Sequence, residues 1–371
     1  MTSIESIHNY LELKDYTLEE RDILAAQLQF DADAVTGWFP EPDYSNCYAT
    51  NNPNALWTVG NLLKKGGTEG VGGTTIRLKG ASLASLLYED TPANVAEIIA
   101  DTVGYPGVNL IRLPVYGDNW DSKNSAQKDA HWNDVILPCI NLCVAANVYV
   151  ILDYHSVSAW DNPARITSVK NFGKYFIPKI RNNPFVILEL FNEPTSPLLY
   201  PWPENEQNYL DFRALWQPVV NLWRFMCRNV IIVGSPNYST RCIYVDDHPF
   251  TGANLAYTFH AYPNFTGGLR DYLGMPVNSS STATILGNAT PTSVVVFLSE
   301  LGFSDPDVET GNETNLTNDV NYPAGMASYL STHKNVHPTI WAHSIFGLGT
   351  KNEFGAAMKA WWTTALPTIT T

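Results

Sequence analysis

From residue 74 onward the chain repeats one rhythm, in which a short apolar run is followed by a longer mixed stretch and then by another apolar run. The runs fall in TTIRLKGASL, GVNLIRLPVY, VYVILDYHS, FVILELFNEP, NVIIVGSPN, NLAYTFHAYP, VVVFLSELGF and PTIWAHSIFG, eight in all. Each is rich in Val, Ile, Leu or Phe and bounded by turn residues, as buried strands are. Helical segments occupy several intervals, at 93–102, 134–146 and 209–226. Strands alternating with helices imply a parallel sheet, and eight repeats imply a closed barrel. The pattern predicts an α/β protein: a (β/α)8 barrel over 74–371 with an N-terminal helical and irregular extension over 1–73. An open doubly wound sheet is the other solution, but no GxGxxG follows the first run.

The extension has a different texture. Thr17 and Glu20 form a capping box for a helix over 18–30, whose Ile23, Leu24 and Leu28 must be buried somewhere. An aromatic stretch follows, GWFPEPDYSNCY, and its Trp38 and Tyr44, with Trp57 beyond, suit either a groove or a lid. The glycine-rich GGTEGVGG at 66–73 reads as a flexible entry loop, since a phosphate loop would need Gly-Lys-Ser/Thr and a following helix. The extension is too short for a β-sandwich binding module, which takes about 100 residues. It is expected to pack on the barrel.

Composition excludes several partners. A formal charge of −14 and a pI near 4.9 argue against nucleic acid and against an anionic membrane surface. No apolar run approaches the roughly 18 residues of a membrane span. The start, MTSIESIHNYLELKDYT, lacks the basic and apolar parts of a secretory signal, which leaves the compartment open. The five cysteines show no metal spacing, and Cys139 and Cys143 sit one helical turn apart as small apolar residues of a buried face. Six Asn-x-Ser/Thr sequons occur, including Asn237, and chance accounts for most of them in a chain rich in these residues.

Chemistry gathers at the strand ends. The last residues of the runs supply Arg112, His155, Asn192 with Glu193, His260 with Tyr262, Glu300, and Trp341 with His343. A barrel keeps its active site at the C-terminal ends of its strands, so these polar groups share one rim. Strict alternation would put Val294, Val296, Leu298 and Glu300 on one inward face, and Asp153 with His155 on another. Glu189, four residues before Glu193, is read as a buried, salt-bridged glutamate. Two carboxylates at strand ends suit acetal cleavage, which needs a proton for the leaving oxygen and a second group at the anomeric carbon.

The ordered set formed by the arginine of NLIRLP, the histidine of LDYHS, NEP, HAY and the glutamate of LSELG resembles glycoside hydrolase family 5, over roughly residues 74 to 362. The segment NVIIVGSPNYS also looks like the fifth strand of bacterial-type endoglucanases in that family. The resemblance implies that Glu193 is the general acid/base and Glu300 the nucleophile. By the same likeness Asn192 binds the sugar 2-hydroxyl, Arg112 and Tyr262 orient Glu300, and His155 and His260 line the subsite of the reacting sugar. The family's eighth-strand tryptophan platform usually precedes a small residue, where this chain has His343 before Ser344; either the register is shifted and Trp341 is the platform, the favoured reading, or the platform is replaced.

Trp120, Trp160 and Trp202, in loops after strands, are expected to extend the cleft, whereas Trp216, Trp223, Trp361 and Trp362 read as packing. The implied activity is a retaining endo-β-glycanase on β-1,4-glucan, acting as a monomer on a polysaccharide or oligosaccharide. A β-mannanase or an exo-acting β-glucosidase of the same family is the alternative. No cofactor and no metal is expected: a metal-dependent barrel would carry His-x-His at the first strand, where this chain has RLKGASL. A non-catalytic carbohydrate-binding barrel would typically lack one of the carboxylates. The family's enzymes are commonly secreted.

Overall fold

The computed structural model describes residues 44–83, 95–195, 206–262, 286–288, 290–302, 321–341 and 360–363. The helix expected over 18–30, Trp38, Trp202, the acidic stretch 305–319 and His343 lie outside them. Eight parallel strands close on themselves in chain order. They are β4 (Gly80–Ser82), β5 (Leu110–Tyr116), β6 (Tyr149–His155), β8 (Val186–Glu189), β10 (Ile231–Val233), β11 (Leu255–Ala261), β12 (Val296–Leu301) and β13 (Val336–Ile340). Helices α1 (Val95–Gly104), α2 (Leu137–Ala145), α3 (Pro163–Ile180), α4 (Glu206–Met226) and α5 (Asn321–Thr332) lie between strands. The helix expected over 134–146 begins instead with a wider turn, Trp132–Ile136, that runs directly into α2. Helix α3 starts where the Asn162 side chain accepts from the amides of Ala164 and Arg165, with Pro163 in the first turn.

Two apolar layers follow from strand alternation. Ile111, Leu113, Val150, Leu152, Val296 and Leu298 point outward to the helices, among them buried Phe172, Trp216, Trp223 and Trp362. Leu110, Tyr149, Ile151, Ile187, Ile232 and Phe297 fill the barrel interior. Cys139 and Cys143 are wholly buried in the outer layer, and burial pushes both thiols up to about 12. Asn237 is also fully buried, so its sequon is not reachable in the folded chain.

The segment before the barrel differs from its expected form. Residues 56–75 make a three-stranded antiparallel sheet: β1 (Leu56–Val59), β2 (Leu62–Thr68) and β3 (Gly72–Thr75). The glycine-rich run is thus a hairpin, not a flexible loop; its positive φ angles at Gly66, Gly67, Gly70 and Gly72 are what glycine permits. Leu56, Leu63 and Ile76 pack against Leu78, Leu110, Tyr149, Phe185, Val230, Ala256 and Val295, which stand at or just before the starts of barrel strands. Asn254 ties the two parts together: it donates to the Leu56 carbonyl (3.0 Å) and accepts from the Thr58 amide (2.8 Å). The sheet closes the N-terminal end of the barrel. Trp57, buried beside Tyr48, is therefore neither groove nor lid, because it lies at the end opposite the catalytic rim.

Candidate active site

Above the apolar interior the inward positions turn polar. Arg112, on β5, is fully buried and acts as the hub. Its Nε donates to Glu189 Oε2 (2.7 Å), and its terminal nitrogens reach Glu300 Oε1 (3.1 Å), Asn192 Oδ1 (2.6 Å) and Asp153 Oδ2 (2.8 Å). Burial works against the guanidinium charge, but Asp153, Glu189 and Glu300 together outweigh it and raise its pKa. One cation does not offset three carboxyl groups in a dry interior. Burial accordingly pushes Asp153 up to about 7 and raises Glu189 as well, with Arg112 pulling both back.

Glu300 lies on β12 and faces donors on two sides: Arg112, and the Tyr262 hydroxyl, which donates to Oε2 at 2.8 Å. A Cβ on residue 302 would come within 2.1 Å of the Tyr262 ring, so Gly302 is what lets that ring lie across the strand end. Glu300 does not reach the interior by simple alternation. Val296 and Leu298 point outward, and the register slips between Phe297 and Glu300 against β11 and between Leu298 and Leu301 against β13. This bulge turns Ser299 and Glu300 inward together, as bulges beside active sites often do.

The chain leaves the barrel after Glu189, so Glu189 and Glu193 are not on one regular strand. Glu193 begins a short rim strand, β9 (Glu193–Thr195), which pairs with β7 (Val157–Ala159). Asn192 is held by its own amide, which donates to the Tyr154 carbonyl (3.2 Å), and by Ser239 Oγ, which donates to its carbonyl (2.7 Å). Ser239 follows Asn237 and Tyr238 in a run of three left-handed residues after β10, a costly conformation for non-glycine residues. Sequence reading gave no sign of this buttress.

Two histidines complete the rim. His155 Nδ1 is 2.8 Å from Asp153 Oδ2, and its ring stacks on Trp341 with centres 5.3 Å apart and planes 7° from parallel. His260 Nδ1 is 2.8 Å from Glu193 Oε1 and 3.8 Å from Glu300 Oε2. Burial pushes both imidazoles down to about 4, so both are neutral at pH 7. One oxygen each of Glu193 and Glu300 and one nitrogen of His260 lie within 4.8 Å of one another.

Eight of the expected site residues thus converge: Arg112, His155, Asn192, Glu193, His260, Tyr262, Glu300 and Trp341. Trp120 and Trp160 do not join them. Trp120 falls on the buried side of a short helix, Gly117–Ser122, and packs against Phe172, Tyr175 and Phe176 of α3. Trp160 is fully buried edge-on to Phe212, and its carbonyl accepts from Trp216 Nε1. Both are core residues, because the segments that carry them, a short helix and a loop, fold back on α3 and α4. Ser299 and Ser239 belong to the cluster without having been singled out, and so does Asp153, expected only to share a face with His155; the signal available for Ser299 was its place beside Glu300.

An eight-stranded parallel barrel with paired carboxyls at the C-terminal mouth has the architecture of the (β/α)8 hydrolases. The family model for cellulase, glycosyl hydrolase family 5, matches residues 70–347, and the chain belongs to that family. It is 29% identical over 255 residues to an endoglucanase of Bacillus sp. strain KSM-635, covering 65% of this chain and 26% of the relative. It is 28% identical over 242 residues to cellulase CelDZ1 of Thermoanaerobacterium sp., covering 64% and 60% respectively. The chain therefore spans less than two thirds of either relative. Among solved structures, a β-glucanase of Saccharophagus degradans superposes with a TM-score of 0.59 at 17% identity, over 88% of this chain and 96% of that one, which supports the fold.

Proposed function

We propose that the protein is a retaining endo-β-glycanase that hydrolyses β-1,4-linked glucan by double displacement. The observation that carries this reading is the unlike company of two close carboxyls. Glu300 accepts from two donors, Arg112 and Tyr262, which aim its carboxyl as a nucleophile, while Glu193 faces a neutral His260. One oxygen of each carboxyl lies within 4.8 Å of the other, which fits the roughly 5 Å spacing of retaining enzymes and not the wider gap that admits an inverting water.

Glu300 attacks the anomeric carbon as Glu193 delivers its proton to the departing oxygen, and a glycosyl ester forms. Water then attacks that carbon, gives a proton to Glu193 and releases Glu300. The Asn192 amide suits the 2-hydroxyl, and the half-exposed Trp341 with neutral His155 suits a sugar face and its hydroxyls. The S. degradans β-glucanase has been crystallised with cellotetraose, which agrees with an oligosaccharide ligand here. The relatives named above, an endoglucanase and a cellulase, favour glucan over mannan.

Glu300→Ala and Glu193→Ala should each abolish glycan hydrolysis without unfolding, and azide should rescue Glu300→Ala with product of inverted configuration. Near wild-type turnover by either variant would overturn the reading. A reducing-sugar panel of carboxymethylcellulose, mixed-linkage glucan, glucomannan, mannan, xylan and aryl glycosides separates glucanase from mannanase and from exo-glucosidase. Glu193, His260 and Glu300 also have metal-ligand spacing, so loss of activity in EDTA with recovery on one divalent ion would favour metal chemistry instead.

A further inference from the structure

Behind His260, the partner of Glu193, stands a hydroxyl with no part in the scheme above. Ser299 Oγ has three partners: Glu189 Oε1 (2.6 Å), His260 Nε2 (3.0 Å) and Thr258 Oγ1. A serine hydroxyl has one proton to donate and two lone pairs to accept with. Glu189, whose other oxygen pairs with Arg112 Nε, is an acceptor, so the Ser299 proton points to it. Ser299 then accepts from Thr258 and from His260, which places the imidazole proton on Nε2. The opposite tautomer would leave one serine proton facing two acceptors, and one contact unmet. With the ring neutral, Nδ1 is a bare lone pair 2.8 Å from Glu193 Oε1, a distance that calls for a proton on that carboxyl.

We propose that Glu189 and Ser299 are positioning residues that lock His260 in its Nε2–H tautomer and thereby keep the acid proton on Glu193. This rests on the reading of Glu193 as acid/base. The same lock serves the second half-reaction. Once Glu193 has given its proton to the leaving oxygen, its carboxylate faces the Nδ1 lone pair, which disfavours the charge and helps it take a proton from the attacking water. His260 neither gains nor loses a proton in either step. The charged and titratable groups that bear on it are Glu193, Glu300, Glu189, Arg112 and His155.

The test is 15N NMR of the full chain labelled at histidine, with the His260 signals assigned by their loss in His260→Gln. At pH 7 the wild type should show a neutral ring protonated at Nε2; a ring protonated at Nδ1, or doubly protonated, overturns the proposal. Ser299→Ala should mix the tautomers and lower kcat/KM on cello-oligosaccharides by about tenfold or more, a part of what general acid catalysis contributes. The loss should be much smaller on dinitrophenyl glycosides, whose leaving group needs no proton, and the alkaline limb of the pH–rate profile should move to lower pH. Ser299→Thr, which keeps the hydroxyl, should restore these properties. A Ser299→Ala enzyme with unchanged tautomer and unchanged leaving-group dependence sinks the lock alone. Glu193→Ala turning over cello-oligosaccharides normally would instead remove the acid/base reading beneath it. If Ser299→Ala does not fold, the wild-type spectrum still decides.

Discussion

Arg112 faces Asp153, Glu189 and Glu300 at once, and its removal would leave buried carboxyls without their cation, a change that typically costs about 3–5 kcal/mol. Such clusters make single residues answer to pH, and His337 shows it most cleanly because it stands away from the rim. Its Nδ1 accepts from the Leu78 amide (3.0 Å), its ring stacks on Phe297, and burial holds its pKa well below the ordinary value. The unfolded chain binds a proton at this histidine below about pH 6.5 while the folded chain does not, so its contribution is complete above that pH and is lost as pH falls. In His337→Asn, which keeps an acceptor for Leu78, that slope should vanish. Denaturant unfolding between pH 7 and 5 should show the variant gaining on the wild type by about 1.4 kcal/mol per pH unit below 6.5. Parallel stability curves would mean that the folded state protonates His337 readily.

At the scale of elements, the decisive events are departures from regularity. The slip in β12 delivers two adjacent side chains to the interior, and the break after β8 moves Glu193 to a rim strand of its own. The helices meet by close packing instead. Gly173 of α3 lies against Trp223 of α4, and a Cβ there would come within 2.1 Å of the indole Nε1. Gly173→Ala gains about 1 kcal/mol of helix propensity but overpacks a buried ring, and the second effect is expected to win at about 1–3 kcal/mol. Thermal denaturation should show a lower Tm, while activity well below it is preserved. A raised Tm would show that Trp223 can move aside.

For the whole molecule, the question is what closes the barrel at its base. The sheet of β1 to β3 covers the strand starts through Leu56 and Leu63, with Ile76 just after β3, and Tyr149 donates to the Asn54 carbonyl just before β1 (2.9 Å). Outside the sheet, Tyr44 donates to the Arg224 carbonyl at the end of α4 (2.9 Å). We propose that residues 1–73 form one appendage packed on a barrel of 74–371, with no separate folding of its own. Deleting residues 1–60 removes β1 and uncovers the interior layer, so the truncated protein should melt earlier or aggregate. Unchanged melting and activity would show the appendage to be dispensable.

The eightfold alternation of apolar runs was enough to specify the barrel, because strand burial and helix periodicity are written locally. The same runs carry Arg112, His155, Asn192, Glu193, His260, Tyr262, Glu300 and Trp341, since a strand end is a position that sequence can mark. Glu189 was legible as a buried salt-bridged group for the same reason, and it is one. Tertiary structure decided the rest. Trp120 and Trp160 follow strands as cleft tryptophans would, but loop direction is set by packing on α3 and α4, and it turned them into core. The glycine-rich run became a hairpin by pairing with its neighbouring strand, and Glu300 faces inward through a bulge while Val296 and Leu298 face outward, where alternation had put all three on one face. Local pattern determines which residues are near a strand end; only the pairing of strands fixes which way each one points.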